Sequence, residues 1–126
     1  GVQIVPVPGA SAFLTALSAS GAMTHRFKYL GFLPVKKGRQ TLFLELKKEL
    51  EESKNPVTIV FYESSHRIMK TLDEIHSHFG DRRIVGAREL TKKFEEFIRG
   101  TVSEITNHFK AKPPKGEFVV IVDGLN

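Results

Sequence analysis

Val57-Thr58-Ile59-Val60-Phe61-Tyr62-Glu63-Ser64-Ser65-His66-Arg67 begins with β-branched and aromatic residues and then turns, at a single position, to charge and hydroxyl. An apolar run of that kind reads as a buried strand, and the polar residues after it mark the strand's end. Ile84 to Leu90 closes in the same way, with Arg88-Glu89 before Thr91-Lys92-Lys93. Ligands in open α/β sheets bind where strands end, so two such edges in one small chain point to a shared cleft.

The elements on either side follow from the same patterning. After Arg67, the residues Ile68, Met69, Leu72, Ile75 and Phe79 recur at helical spacing, and Gly80 is placed to end that helix in the left-handed conformation. The spacing predicts a helix from about Ser65, capped by Ser64 or Ser65. Upstream, Arg39 to Ser53 carries Leu42, Phe43, Leu46 and Leu50 on one helical face and Glu45, Lys48, Glu49 and Glu52 on the other, with Asn55-Pro56 as the break. Arg26 to Leu33, aromatic and closed by Pro34, reads as a strand.

Downstream, Ile84 to Glu89 and Glu95 to Arg99 are strands joined by about five residues, short enough for antiparallel neighbours. Thr101-Val102-Ser103-Glu104 has the spacing of a capping box and starts a short helix with Ile105 and Phe109 inward. Pro113-Pro114-Lys115-Gly116 is a turn or loop, and Phe118 to Val122, apolar without alternation, is a central strand. At the other end, Gly1 to Val5 resembles a strand already in progress, and Pro6-Val7-Pro8-Gly9 leads into a small-residue helix over Ala10 to Leu17. The expectation is an α/β fold with a mixed, mostly parallel sheet of about five strands and flanking helices. Residues 1–9 are read as the end of a preceding strand and an interdomain linker, and 10–126 as one α/β domain, with material before Gly1 expected to be missing.

The 126 residues are 40% hydrophobic, enough for one domain with an ordinary core. No stretch approaches the roughly 18 to 20 apolar residues of a spanning helix, and no charged-then-apolar signal segment opens the chain, so a cytoplasmic location is expected. With no cysteine, thiol catalysis, zinc-thiolate sites and disulfide scaffolds are excluded. Nineteen Lys and Arg against 14 Asp and Glu give a net charge of +5, with clusters at Lys36-Lys37, Arg82-Arg83, Lys92-Lys93 and Lys110, Lys112 and Lys115. Such clusters either attract phosphate backbones or simply solubilise loops and helix ends.

Several candidate sites compete with plainer structural uses. Pro8-Gly9-Ala10-Ser11-Ala12 is either a backbone approach to a ligand at a helix start or a tight turn packed on the sheet. Glu63, His66 and Arg67 form either a salt-bridged shelf or a ligand site. The adjacent Ser65 and His66 lack the Gly-x-Ser-x-Gly elbow of a hydrolase. Arg88-Glu89 is a structural ion pair or part of a site. The five histidines, at 25, 66, 76, 78 and 108, show no metal-ligand spacing, and no glycine-rich phosphate loop occurs.

Taken together, Val5-Pro-Val-Pro-Gly-Ala-Ser-Ala12, Phe61-Tyr-Glu-Ser-Ser-His-Arg67 and Ala87-Arg-Glu-Leu-Thr-Lys-Lys-Phe-Glu-Glu96 resemble the tetrapyrrole methylase superfamily. Within it they look most like the branch of ribosomal small-subunit RNA methyltransferases that act on a cytidine ribose 2'-hydroxyl. Leu30-Gly-Phe-Leu-Pro34, Arg99-Gly-Thr101 and Gly116-Glu-Phe-Val-Val120 match that branch in order and spacing, so the resemblance covers essentially the whole chain. It implies a two-domain enzyme that uses S-adenosylmethionine, typically a homodimer, with the cofactor in the cleft between domains. This chain would be the C-terminal domain, its own N-terminal domain lying outside it.

By motif position, the cofactor would be walled by Ser11, Ala12, Tyr62, Glu63, Leu90, Thr91, Glu117 and Phe118. Arg88 and Glu89 would stand nearest the chemistry, His66 and Arg67 would face the small-subunit RNA, and Glu63, Glu89 or His66 would take the proton. Ser65 replaces the branch's usual proline and His25 its usual acidic residue, which leaves His25 without a role. The alternatives are a corrin or porphyrin methyltransferase of the same superfamily and a non-catalytic RNA-binding module. The second would need exposed aromatic stacking positions beside basic residues.

Overall fold

The computed structural model describes residues 26–52, 57–90 and 93–124, and within these the side chains of Glu52, Glu89, Leu90, Lys93, Phe94 and Glu95 are left undescribed. Strand β1 (Phe27–Phe32) leads to helix α1 (Arg39–Glu52), and strand β2 (Thr58–Ser64) to helix α2 (Ile68–Phe79). Strands β3 (Arg83–Leu90) and β4 (Lys93–Thr101) form a hairpin, followed by helix α3 (Val102–Ala111) and strand β5 (Glu117–Val122). The expected strand and helix over residues 1–17, and the linker assigned to 1–9, lie outside the described residues.

The five strands form one mixed sheet in the order β1-β2-β5-β3-β4, as the α/β reading expects. The balance of pairing differs from the expected mostly parallel sheet. β1–β2 is parallel, whereas β2–β5, β5–β3 and β3–β4 are antiparallel. Strands joined through a helix do run the same way: β1, β2 and β3 in one direction, β4 and β5 in the other. The β3–β4 hairpin reverses the chain, so β5 returns against the first set and inserts between β2 and β3. Interleaving the two sets makes most pairings antiparallel although each crossover joins strands of one direction.

The apolar runs of β2 and β5 are buried on both faces, which is why they take the second and third places in the sheet. On one face Ile59, Phe61, Ile84, Phe118, Val120 and Val122 pack with Phe43 and Leu46 of α1, Ile68, Leu72 and Ile75 of α2, and Val102, Ile105 and Phe109 of α3. The Phe109 and Phe118 rings meet edge-on at 5.2 Å between centroids, a geometry that adds about 0.5–1.5 kcal/mol to the burial itself. On the opposite face Val60, Tyr62, Val85, Ala87, Val119 and Ile121 form a second cluster with Phe97.

Two helix ends depart from the sequence reading, and one matches it. Helix α2 starts at Ile68 with Arg67 as N-cap and no side-chain cap, so neither Ser64 nor Ser65 caps it. The reason is that pairing extends past β2: Ser65 N–H donates to Gly116 O at 3.2 Å, and Arg67 N–H turns back to Ser64 O at 3.1 Å. Gly80 has the expected positive φ, 82°, but its ψ of −168° places it in the extended region open only to glycine. At α3 the capping box is complete: Glu104 N–H donates to Thr101 Oγ1 and Thr101 N–H to Glu104 Oε1.

Asp81 adds to that helix start, because its Oδ1 accepts from Ser103 N–H at 2.8 Å. This hydrogen bond holds the Asp81 carboxyl below its ordinary pKa. Thr101→Ala should lower unfolding stability by about 1 kcal/mol in urea titrations. Asp81→Ala should lower Tm at neutral pH. The depressed carboxyl stabilises the fold above its unfolded pKa and loses that contribution as pH falls through the folded value. The Tm gap between wild type and D81A should therefore close below about pH 4.

Candidate functional site

At the edge where β2 and β3 end and β5 begins, the register joins residues distant in sequence. Glu63 of β2 lies opposite Phe118 of β5, which lies opposite Arg88 of β3, which lies opposite Glu96 of β4. One row further out, Ser64 and Glu89 both face Glu117. One row inward, Tyr62 and Ala87 both face Val119. Six of the residues expected at the site, Tyr62, Glu63, Arg88, Glu89, Glu117 and Phe118, thus sit in three adjacent rows. His66 and Arg67 are exposed in the turn after β2, beside Gly116 through the Ser65 hydrogen bond. Leu90 pairs with Lys93 at the hairpin end. Ser11, Ala12, His25 and Thr91 lie outside the described residues.

The rows do not place all these side chains on one surface, because successive residues of a strand point to opposite faces. Tyr62 belongs to the cluster away from the helices, where its ring meets Tyr29 edge-on at 5.9 Å and stacks on Phe32 at 5.4 Å. Glu63 turns to the helix face and is only 3% exposed. Its Oε2 accepts from Thr71 Oγ1 at 2.6 Å and its Oε1 from Ser64 N–H at 2.9 Å. Thr71 Oγ1 in turn accepts from Arg39 Nη2 at 2.9 Å, and Arg39 pairs with Glu74 through Nε and Nη2 at 2.8–3.1 Å. Arg39 Nη1 also donates to Pro34 O at 2.8 Å, and the guanidinium lies over the Phe43 ring.

This chain of contacts ties β2, α1 and α2 together, and it was missed in the sequence because the side-chain bonds that link these elements join residues 8 to 35 apart. The one legible signal was the placement of Thr71 and Glu74 one turn apart on α2. Of the charged trio at the strand end, Glu63 is therefore taken up by hydrogen bonds from Thr71 and Ser64, joined through Thr71 to the Arg39–Glu74 ion pair, while His66 and Arg67 are exposed.

The described ion pair of Arg88 is with Glu96, Nη1 to Oε2 at 3.6 Å, and His108 Nε2 approaches Glu96 Oε1 at 3.9 Å. The register shifts between Arg88 and Glu89, a bulge of the kind that re-aims side chains at sheet ends. Arg88 Nε is buried and has no hydrogen-bond partner among the described residues. An unpaired buried donor at a strand end is a group that a ligand oxygen would satisfy. Glu96 escaped the sequence reading because only the cross-strand register brings it to Arg88.

Residues 1–106 match the family model of tetrapyrrole (corrin/porphyrin) methylases. The chain is 47% identical over 127 residues to the ribosomal RNA small subunit methyltransferase I of Bacillus subtilis strain 168, covering 100% of this chain and 41% of that protein. The protein of the same name from Halalkalibacterium halodurans is 43% identical over 125 residues, covering 98% and 41%. That from Thermotoga maritima is 44% identical over 124 residues, covering 98% and 53%. The chain thus spans about two fifths to one half of the length of these relatives.

Thr71 is the only bridge between Glu63 and Arg39 among the described residues, so Thr71→Val leaves a buried carboxylate oxygen without its donor. The expected loss is about 1–3 kcal/mol of unfolding stability. Thr71→Ser, which keeps the hydroxyl, should recover most of it in the same chemical denaturation series.

Proposed function

The chain belongs to the tetrapyrrole (corrin/porphyrin) methylase family, and we propose that it is the C-terminal domain of an S-adenosylmethionine-dependent methyltransferase acting on small-subunit ribosomal RNA. The observation that carries this reading is the convergence of Tyr62, Arg88, Glu89, Glu117 and Phe118 on one sheet edge, in the segments that resemble the ribosomal RNA branch. The acceptor is a cytidine ribose 2'-hydroxyl. The cleft is completed by the protein's own N-terminal domain, and the enzyme works as a homodimer in the cytoplasm.

The cofactor, when bound, supplies a methyl group already activated on sulfur. The chain's own groups then have to position the acceptor and remove its proton. Holding the acceptor in line provides much of the acceleration, and a general base adds about 10²–10⁴-fold. With the Glu63 carboxylate committed to Thr71 and Ser64, Glu89 and His66 are the candidates for that base. Glu63 then contributes to the cofactor wall through its backbone, next to the Tyr62 ring. Arg88, its Nε unpaired among the described residues, suits a carboxylate or phosphate oxygen. Arg67 in the exposed turn suits RNA phosphate. Ser11, Ala12, Leu90 and Thr91 complete the cofactor wall in this reading.

A corrin or porphyrin acceptor is the second reading within the family. Full-length protein incubated with labelled S-adenosylmethionine and either small ribosomal subunits or a corrin precursor should label the RNA. Label in the macrocycle alone would reverse the assignment. Glu89→Gln should reduce turnover at least about 10²-fold if Glu89 is the base. Near-normal turnover in both Glu89→Gln and Arg88→Ala would remove the pair from the mechanism.

A further inference from the structure

Strand β1 carries a bulge whose effect is to bring one more aromatic ring to the Tyr62 side of the sheet. Tyr29 pairs with Val60 and Phe32 with Tyr62, so three steps along β1 match two along β2. Without the extra residue Phe32 would point to the helix face, opposite Tyr29. Gly31 accommodates the irregularity with φ 66°, a conformation that other L-residues rarely adopt. Phe32 ends up stacked on Tyr62 yet 59% exposed, while the next residue, Leu33, is buried in the helix-side core.

The charge of the segment that carries this ring is one-sided. From Arg26 to Leu44 the chain has five Lys and Arg and no Asp or Glu. Lys28 is paired with Glu49 and Arg39 with Glu74. Lys36 and Lys37 are exposed and have no ion pair among the described residues. They follow Phe32 at no more than about 14–18 Å of chain. The loop that carries them is fixed at both ends, by the burial of Leu33 and by Arg39 Nη1 on Pro34 O.

An exposed aromatic face, followed four and five residues later by exposed lysines that have no ion pair among the described residues, has the chemistry for unpaired nucleotides: the ring stacks on a base and the ammonium groups hold phosphates. Duplex RNA offers no free base face to such a ring. We propose that the β1–α1 corner is an RNA-contact surface, with Phe32 stacking on an unpaired base of the substrate RNA and Lys36 and Lys37 holding its flanking phosphates. This rests on the RNA reading above and extends the Tyr62 row onto β1 and its loop, which carry none of the expected site residues.

The test uses full-length protein and fluorescence anisotropy with a labelled single-stranded oligoribonucleotide of mixed sequence, together with calorimetry of S-adenosylmethionine binding. Phe32→Ala should weaken RNA binding about 5- to 100-fold, whereas Phe32→Trp should retain it. Lys36→Ala with Lys37→Ala should reduce the slope of log affinity against log salt by about 1.4. Unchanged RNA affinity in Phe32→Ala would overturn the proposal. So would loss of cofactor binding alone, which would assign the ring to the cofactor. Lowered Tm with unchanged RNA affinity would assign it to an intramolecular contact and overturn the proposal as well. Wild-type protein that binds no RNA would remove the RNA reading itself, an outcome distinct from wild-type binding with indifferent variants.

Discussion

The insertion of β5 between β2 and β3 is the constraint on which the rest of the structure depends. The strand is last in the chain among the described elements, yet it occupies the middle of the sheet and runs against both neighbours. Its ladder partners are Tyr62 to Ser64 on one side and Ala87 to Glu89 on the other, so it holds the two polar strand ends at a fixed spacing. A strand buried on both faces needs apolar residues at every position, and Phe118 to Val122 supply them. A one-residue slip of β5 would carry Phe118 and Glu117 to the wrong faces and separate Glu63 from Arg88 in the row.

The same period-two geometry divides labour at the strand end. Tyr62 and Glu63 are neighbours in sequence but serve opposite faces of the sheet. The tyrosine joins an aromatic group with Tyr29 and Phe32, and the glutamate is absorbed into the Thr71, Arg39 and Glu74 cluster. Buried ion clusters contribute little net stability compared with apolar packing, since desolvation offsets the attraction. What this one provides is position: a guanidinium with bonds to Glu74, Thr71 and Pro34 O fixes the start of α1 against α2 and the β1–α1 loop. The site edge and the exposed Phe32 corner therefore share a common support.

Local features were legible wherever neighbours in sequence decide them. The α3 capping box, the apolar faces of α1 and α2, the positive φ of Gly80 and the central place of β5 each depend on a few adjacent residues or on one periodicity. The serine caps failed because a tertiary hydrogen bond, Ser65 N–H to Gly116 O, carried the strand pairing past the point where a helix would otherwise begin. The partnership of Arg88 with Glu96 was hidden for a similar reason. Sequence adjacency favoured Glu89, whereas cross-strand register selects a residue eight positions away.

By itself the sequence determined that the chain alternates strands and helices, that β2 and β5 are core strands, and that polar groups gather where β2 and β3 end. These follow from side-chain volume, polarity and period, which are local properties. Only the tertiary structure decided that β5 separates β2 from β3, and which face each polar residue serves. It also decided that a bulge at Gly31 brings Phe32 to the Tyr62 side. Those outcomes depend on register and strand order, which arise when hydrogen-bond ladders and two apolar faces must be satisfied together.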